Sequence, residues 1–375
     1  VPFSGTPGSL NAITDVPGVL VGYRTLIRGD NIRTGITAIL PRGPSNDPVF
    51  GGHFVLNGNG EFAGLSWLAE GGFVDGPILI TNTHSVGIVR DSVIQWQIAR
   101  DKMPLTNREI GSGFSLPLVA ETADFRLNDM NKQLISKEDV FAALDSAGGN
   151  SIEEGNVGGG TGMIAFGWKG GTGTSSRKIG DFHIGCLVQA NHGASGNLII
   201  GNCPFPESPP IQSNGAGSII IILATDAPLL PNQLDRVAKR GALGIAKSGG
   251  MGEHGSGDFI VAFSTANPAA AVSGALLSRE PGSGSALSGA STSNPTHSGH
   301  SGGAGYKISL EDSNTSVKLE FMAISEMDKI FEATIQVVDE AIINALVAAK
   351  PMTGFNQLTV QNLPHPLIRE KFARH

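Results

Sequence analysis

Apolar residues run in short unbroken blocks along much of the chain. Val19–Gly22, Gly35–Leu40, Pro77–Thr81, Gly162–Trp168, Gly185–Ala190, Ser218–Leu223 and Phe259–Ser264 are each strand-sized and bounded by turn-forming residues. Such blocks predict buried strands. A different period governs Met327–Ala349. There Ile330, Phe331, Thr334, Val337, Val338, Ala341, Ile342, Ala345 and Leu346 recur at three- and four-residue steps, which predicts a long helix. Asn232–Ala246, just after Pro231, repeats the pattern with Leu234, Val237, Ala238 and Leu243. Two further helices are predicted over residues 85–101 and 137–146, the latter opened by a capping box from Ser136 to Asp139. Several strands follow one another without an intervening helix. That order predicts an α/β protein of layered sheets with helices outside, rather than a doubly wound parallel sheet.

Composition narrows the picture. Hydrophobic residues make up 40% and charged residues 16% of 375, enough for a large core and too ordered a balance for global disorder. The net charge of −7 argues against nucleic acid or an acidic membrane surface as the main partner. No apolar run reaches membrane-spanning length. Cys186 and Cys203 lack metal-ligand spacing. Val1 is not an initiator methionine, so the compartment, cytoplasmic or periplasmic and secreted, stays open. The 52 glycines cluster in four stretches. Gly282–Gly305, rich in Gly, Ser and Thr, reads as a mobile loop or linker.

Four segments can carry chemistry. Glu154–Gly162 packs glycines densely enough to aim backbone N–H groups at an anion, though it equally reads as a glycine turn before a strand. Asn191 and His192 end an apolar block; the amide can donate to an oxyanion and the imidazole can act as a base, while a lone histidine more often serves only a loop. Lys247–Asp258 is a glycine-rich loop between a helix and a strand, a place where a strained peptide bond can sit. Ser325 and Glu326 precede the long helix, and Ser325 with Asp328 reads well as a plain N-cap.

Taken together, a series of segments resembles the DmpA family of L-aminopeptidase/D-esterase-amidases, which includes the β-peptidyl aminopeptidases. The series runs through Pro2–Thr6, Asn11–Val19, Arg33–Thr37, Asn57–Glu61, Pro117–Thr122, Leu127–Asp129, Glu154–Met163 and Gly170–Arg177. It continues with Leu187–Gly193, Ala224–Leu229, Ser256–Asp258, Ala262–Ala266 and Glu340–Leu346, in order over nearly the whole chain. The resemblance implies a single domain folded as a four-layer αββα sandwich, shared with ornithine acetyltransferase. It also implies a precursor that cuts itself and exposes a new N-terminal Ser or Thr as nucleophile.

Matched to that family, the cut falls between Gly249 and Gly250, giving fragments 1–249 and 250–375. Gly250 has no hydroxyl, so the expectation is an uncleaved, inactive nucleophile variant of an aminopeptidase acting on short peptides, amides or esters with a free amine. Asn191 is expected as oxyanion donor and Glu154 as anchor for the substrate ammonium. Ser325 and Glu326 are expected beside the nucleophile, and Phe166 stands where relatives often carry Tyr. Acyl transfer on the same fold and a natural non-catalytic protein are the rival expectations. No metal or organic cofactor is implied, and neither nucleic acid nor membrane. The resemblance suggests a homo-oligomer.

Overall fold

The computed structural model describes residues 1, 3–43, 45, 47–100, 114–209, 211–268 and 319–372. The linker expected over Gly282–Gly305 lies outside them. Two mixed sheets form the centre. The first, five-stranded, takes β1 (Leu20–Arg28), β2 (Ile32–Leu40), β4 (Phe62–Ala63), β6 (Ile78–Thr81) and β7 (Leu118–Glu121) in the order β1-β2-β6-β7-β4. The second, six-stranded, takes β3 (Val49–Gly58), β5 (Phe73–Val74), β10 (Gly171–Ile179), β11 (Phe182–Asn191), β14 (Ser218–Thr225) and β15 (Gly257–Ser264) in the order β10-β11-β14-β15-β3-β5. Three two-stranded ribbons complete the strands: β8 (Ile164–Ala165) with β9 (Trp168–Lys169), β12 (Ile199–Ile200) with β13 (Cys203–Pro204), and β16 (Met352–Thr353) with β17 (Thr359–Val360). The helices are α1 (Leu65–Gly71), α2 (Val86–Ala99), α3 (Lys137–Asp145), α4 (Pro231–Lys247), α5 (Met327–Ala348) and α6 (His365–Phe372).

Alternation along the strands sorts the core into layers. On β14, Ile220, Ile222 and Ala224 face the first sheet, meeting Ile39, Ile78, Ile80 and Ala120. Ile219, Ile221 and Leu223 point the other way, onto α4 and α5 through Leu234, Val237, Ile330 and Val337. The outer face of the first sheet packs on α2 and α3 through Val89, Val93, Trp96, Val140 and Leu144. A strand covered on both faces must be apolar at every position, which is why β14 reads as an unbroken run rather than an alternation. The layers are therefore helix, sheet, sheet, helix, the αββα sandwich.

Two local expectations change. Gly162–Trp168 is not one strand. A 3-10 turn over Gly158–Gly162 leads into the β8–β9 ribbon, which reverses at Phe166 (φ 53°) and Gly167 (φ 81°). The Lys169 ammonium, fully buried, donates to the carbonyls of Met163 and Gly170, each at 2.8 Å, and fixes that reversal from within. Ser325 is not the N-cap of α5. It lies in a 3-10 turn over Ile324–Glu326, and the capping residue is Glu326, without a side-chain cap bond.

Candidate active site

The ends of four strands of the six-stranded sheet line up in one row. Asn191, last in β11, pairs with Ser218, first in β14; Ser218 pairs with Gly257, first in β15; Gly257 pairs with Gly58, last in β3. Neighbouring strands lie about 4.8 Å apart, so Ser218 sits within one strand spacing of both Asn191 and Gly257. Alternation puts the Ser218 side chain on the inner face of the sheet, with Ile220 and Ile222. Asn191 shares that face with Gln189, whose Nε2 donates across the sandwich to Thr81 O and Thr122 Oγ1.

Ser218 is buried, and its Oγ accepts the Gly257 N–H at 3.1 Å. The residue before it is Gly217, pressed so closely on β11 that a Cβ there would overlap Asn191 O. Gly217 is held in a tight turn, its N–H donating to Gly215 O at 2.8 Å. The chain therefore presents a Gly–Ser peptide bond at the head of a central strand.

Three polar groups lie near this row of strand ends. Asn191 Oδ1 accepts the Ile164 N–H at 2.9 Å, and its Nδ2 donates to Ala123 O at 3.0 Å. An amide nitrogen carries two hydrogens, so one donor remains beyond the Ala123 bond. On the other flank, Ser256 Oγ lies 2.6 Å from Asp258 Oδ2 and 2.7 Å from Glu253 O. Burial pushes the Asp258 carboxyl up to about 6, against the lowering effect of the Ser256 hydrogen bond, and neighbouring Glu253 adds to the rise. Asn57 Nδ2 ties this turn down through Glu253 O at 3.0 Å and His254 O at 3.1 Å. The third group is Glu121, at the end of β7. Its carboxylate accepts the Glu61 N–H at 2.9 Å and the Thr83 hydroxyl, and burial raises its pKa despite both bonds. Gly60 separates it from the strand row: a Cβ there would lie 2.8 Å from Glu121 Oε1 and 3.7 Å from Gly257 Cα.

Of the residues expected from sequence, Asn191 stands in this row and the others do not. Gly249 and Gly250 end α4 in the outer helical layer, where their N–H groups donate to Ala246 O and Ile245 O. A Cβ on Gly250 would fall 2.6 Å from Ile245 Cγ2 and 3.0 Å from His192 Cδ2. The position has no space for the serine side chain the resemblance led us to expect. His192 points outward from β11, away from Ser218, and stacks edge-on to Phe166 at 5.1 Å. Burial lowers its pKa to about 4, so it is neutral at pH 7. Phe166 belongs to that outer cluster and not to the inner face.

Glu154 Oε1 accepts the Thr174 N–H at 2.7 Å. Thr174 pairs with Leu187, four residues up β11 from Asn191 and so about 13 Å along the strand. Burial and the charge of Glu340 raise Glu154 to about 7, but it faces a structural cluster and not the row. Ser325 and Glu326 lie near the first turn of α4, where the Met322 N–H donates to Pro228 O and Gln233 Nε2 donates to Met322 O. Gly250 follows the last turn of the same 17-residue helix, about 25 Å away. Ser325 is exposed, and Glu326 pairs with Lys329 at 2.6 Å.

Ser218, Ser256, Asp258 and Glu121 are the members that the sequence reading missed. The readable signal was Gly217–Ser218 directly before six consecutive apolar residues, a glycine and a hydroxyl at the mouth of a buried strand.

A hydroxyl at the head of a central strand, between the sheets of a helix–sheet–sheet–helix sandwich, is an arrangement that an N-terminal-nucleophile hydrolase can use. The model of peptidase family S58 matches residues 11–360. The β-peptidyl aminopeptidase BapA of Sphingosinicella microcystinivorans is 41% identical over 401 residues, covering 98% of this chain and 89% of the relative. The L-aminopeptidase D-Ala-esterase/amidase of Ochrobactrum anthropi superposes with a TM-score of 0.80 at 36% identity, covering 100% of this chain and 96% of that one. It is described as a prototype for the serine aminopeptidases and a variant of the Ntn hydrolase fold. A β-aminopeptidase from Burkholderia sp. superposes with a TM-score of 0.76 at 34% identity, covering 99% of this chain and 96% of that one. The chain belongs to peptidase family S58.

Proposed function

We propose that this chain is a self-processing aminopeptidase whose nucleophile is Ser218, released by cutting the Gly217–Ser218 bond. The observation that carries the reading is the row Asn191, Ser218, Gly257 at one end of the six-stranded sheet. In the precursor, Ser218 Oγ attacks the Gly217 carbonyl carbon. The Gly217 C–N bond breaks, the nitrogen takes the proton, and water hydrolyses the resulting ester, leaving a Gly217 carboxylate and a free Ser218 amine. That amine then serves as the base for the same hydroxyl, which attacks the carbonyl of an incoming amide or ester. Asn191 Nδ2 faces the developing oxyanion. The leaving amine departs with the proton, and a water molecule releases the acyl group.

The Ser256–Asp258 pair, one strand away, orients the Ser218 amine. Glu121 takes the free ammonium of the substrate, restricting hydrolysis to the amino-terminal residue. The relatives' activities suggest short peptides, including β-peptides, as the substrate class. On this reading the glycine at position 250 is not a lesion. The expected fragments are 1–217 and 218–375, in place of a cut at position 250.

Gel electrophoresis with N-terminal sequencing decides the matter. The protein as given should yield two bands, one beginning at Ser218, and should hydrolyse alanine p-nitroanilide. Ser218→Ala should remain one 38.8 kDa chain without turnover. Gly250→Ser should change neither cut nor site, and should cost about 1–3 kcal/mol through overpacking. A fragment beginning at residue 250, or turnover by an uncut Ser218→Ala protein, overturns the assignment.

A further inference from the structure

Beside Ser218 a cleft opens between the sheets, lined by Phe125, Arg126, Asn191, Gln212, Asn214 and Gly217 among others. Among the described residues, Arg126 is the one cationic side chain on its wall. Its recorded polar contact is a long one, Nη1 to Gln212 O at 3.4 Å. Among the described residues it has no carboxylate partner. Four arginines do have a carboxylate partner: Arg24 and Arg28 with Asp139 at 2.8 and 3.8 Å, Arg100 with Asp145 at 2.6 Å, and Arg177 with Glu340. In a chain of net charge −7, an arginine left without a counter-ion on a cleft wall is free to meet one from outside.

The backbone that presents it is fixed. Leu127 N and Asn128 N both donate to Asp124 O, at 3.0 and 2.9 Å, so Arg126 rides on a closed turn. Asn128 Nδ2 bonds Asp124 Oδ1 at 2.9 Å, and the Arg33 N–H caps Asn128 Oδ1 at 3.2 Å. The same segment carries Glu121 five residues earlier, at the end of β7, where its carboxylate lies against Gly60 beside the row of strand ends. A guanidinium fork matches a carboxylate in shape and charge.

We infer that Arg126 binds the free C-terminal carboxylate of the peptide being cut, making it a specificity-determining residue. With Glu121 on the ammonium and Arg126 on the carboxylate, the site measures the substrate between its two charged ends. Extended peptide advances about 3.3–3.6 Å per residue, so a grip on both charged ends favours short peptides over long ones. This rests on the assignment of Ser218 and Glu121 above.

The test compares three substrates on self-processed enzyme: an alanyl dipeptide with a free carboxylate, the same dipeptide amidated at its C-terminus, and alanine p-nitroanilide. Arg126→Gln should still process itself to two bands, which checks folding. Its kcat/KM on the free-acid dipeptide should fall about tenfold or more, mostly through KM, the scale of a charge-assisted hydrogen-bonded pair. The amidated dipeptide and the anilide should stay within about twofold, and Arg126→Lys should recover part of the loss. Wild-type turnover of the amidated dipeptide and the anilide tests the aminopeptidase assignment by itself. An equal fall on all three substrates, or an unchanged preference for the free acid, overturns the role of Arg126.

Discussion

Asp258 shows how far a single residue's surroundings can set function against stability. Its carboxyl is raised to about 6 because burial disfavours the charged form. The folded protein therefore holds this proton more tightly than the unfolded chain. The stabilisation is complete below the unfolded value near 3.9 and is lost as pH rises through about 6. Asp258→Asn should accordingly be more stable than the parent at pH 7, measured by thermal melting. Catalysis should move the other way. On the Ser218 assignment, log kcat/KM of the parent should fall as the Ser218 amine protonates, and should fall more steeply below about pH 6 as Asp258 also protonates. Asp258→Asn should keep a slope of one at a lower plateau. A parent profile with a single slope down to pH 4 would remove Asp258 from the machinery.

The same scale shows what a sequence can and cannot say about a site. Asn191 could be singled out as an amide at the end of an apolar run, and the structure sets it beside Ser218 in the row of strand ends. Ser218 was not singled out, because its meaning depends on Asn191, 27 positions before it, and Gly257, 39 positions after it, and only sheet register brings them together. Glu154 misled for the opposite reason. Its glycine-rich neighbourhood looks like a binding loop, but the residue faces Thr174, well up the strand.

At the scale of elements, the hydrophobic pattern was a good guide wherever one layer covers another. β11, β14, β15 and the helices α4 and α5 follow from apolar runs and three-to-four periodicity, and α3 from the capping box at Ser136. Where glycine governs, the pattern failed, because hydropathy cannot distinguish an extended Gly162–Trp168 from a turn and ribbon stapled by a buried lysine. Glycine also sets how closely helices approach the sheet. A Cβ on Gly173 in β10 would overlap Ala341 O of α5 and lie 2.6 Å from Ala345 N, so helix backbone rests directly on strand backbone there. Gly87, in the first turn of α2, has nothing within 4 Å of the same point. Gly173→Ala should destabilise by about 1–3 kcal/mol or more through forced separation of α5 and β10. Gly87→Ala should stabilise by about 0.4–1 kcal/mol, by restricting the unfolded chain. Chemical denaturation of the two variants reads the contrast directly, and equal midpoints would refute it.

For the whole molecule, the strand order of the second sheet has a consequence for what self-cutting does to folding. In the order β10-β11-β14-β15-β3-β5, a cut before Ser218 leaves β14 and β15 on the later fragment, inserted between β11 and β3 of the earlier one. Neither fragment then owns the whole of the second sheet, and they stay interleaved by the ladders on both flanks. The uncut chain alone carries the instruction for that interleaving, because it folds as one polymer before the bond is broken. Processing at Ser218 would thus turn a reversible fold into a kinetic trap, whose stability is a lifetime rather than an equilibrium. Uncut Ser218→Ala should recover its native circular dichroism after dilution from denaturant, at a yield independent of concentration. The processed protein should recover poorly, with a yield that rises with fragment concentration until aggregation intervenes. Equal recovery of both would mean that the two fragments find each other unaided, and that the order of strands imposes no memory on the mature enzyme.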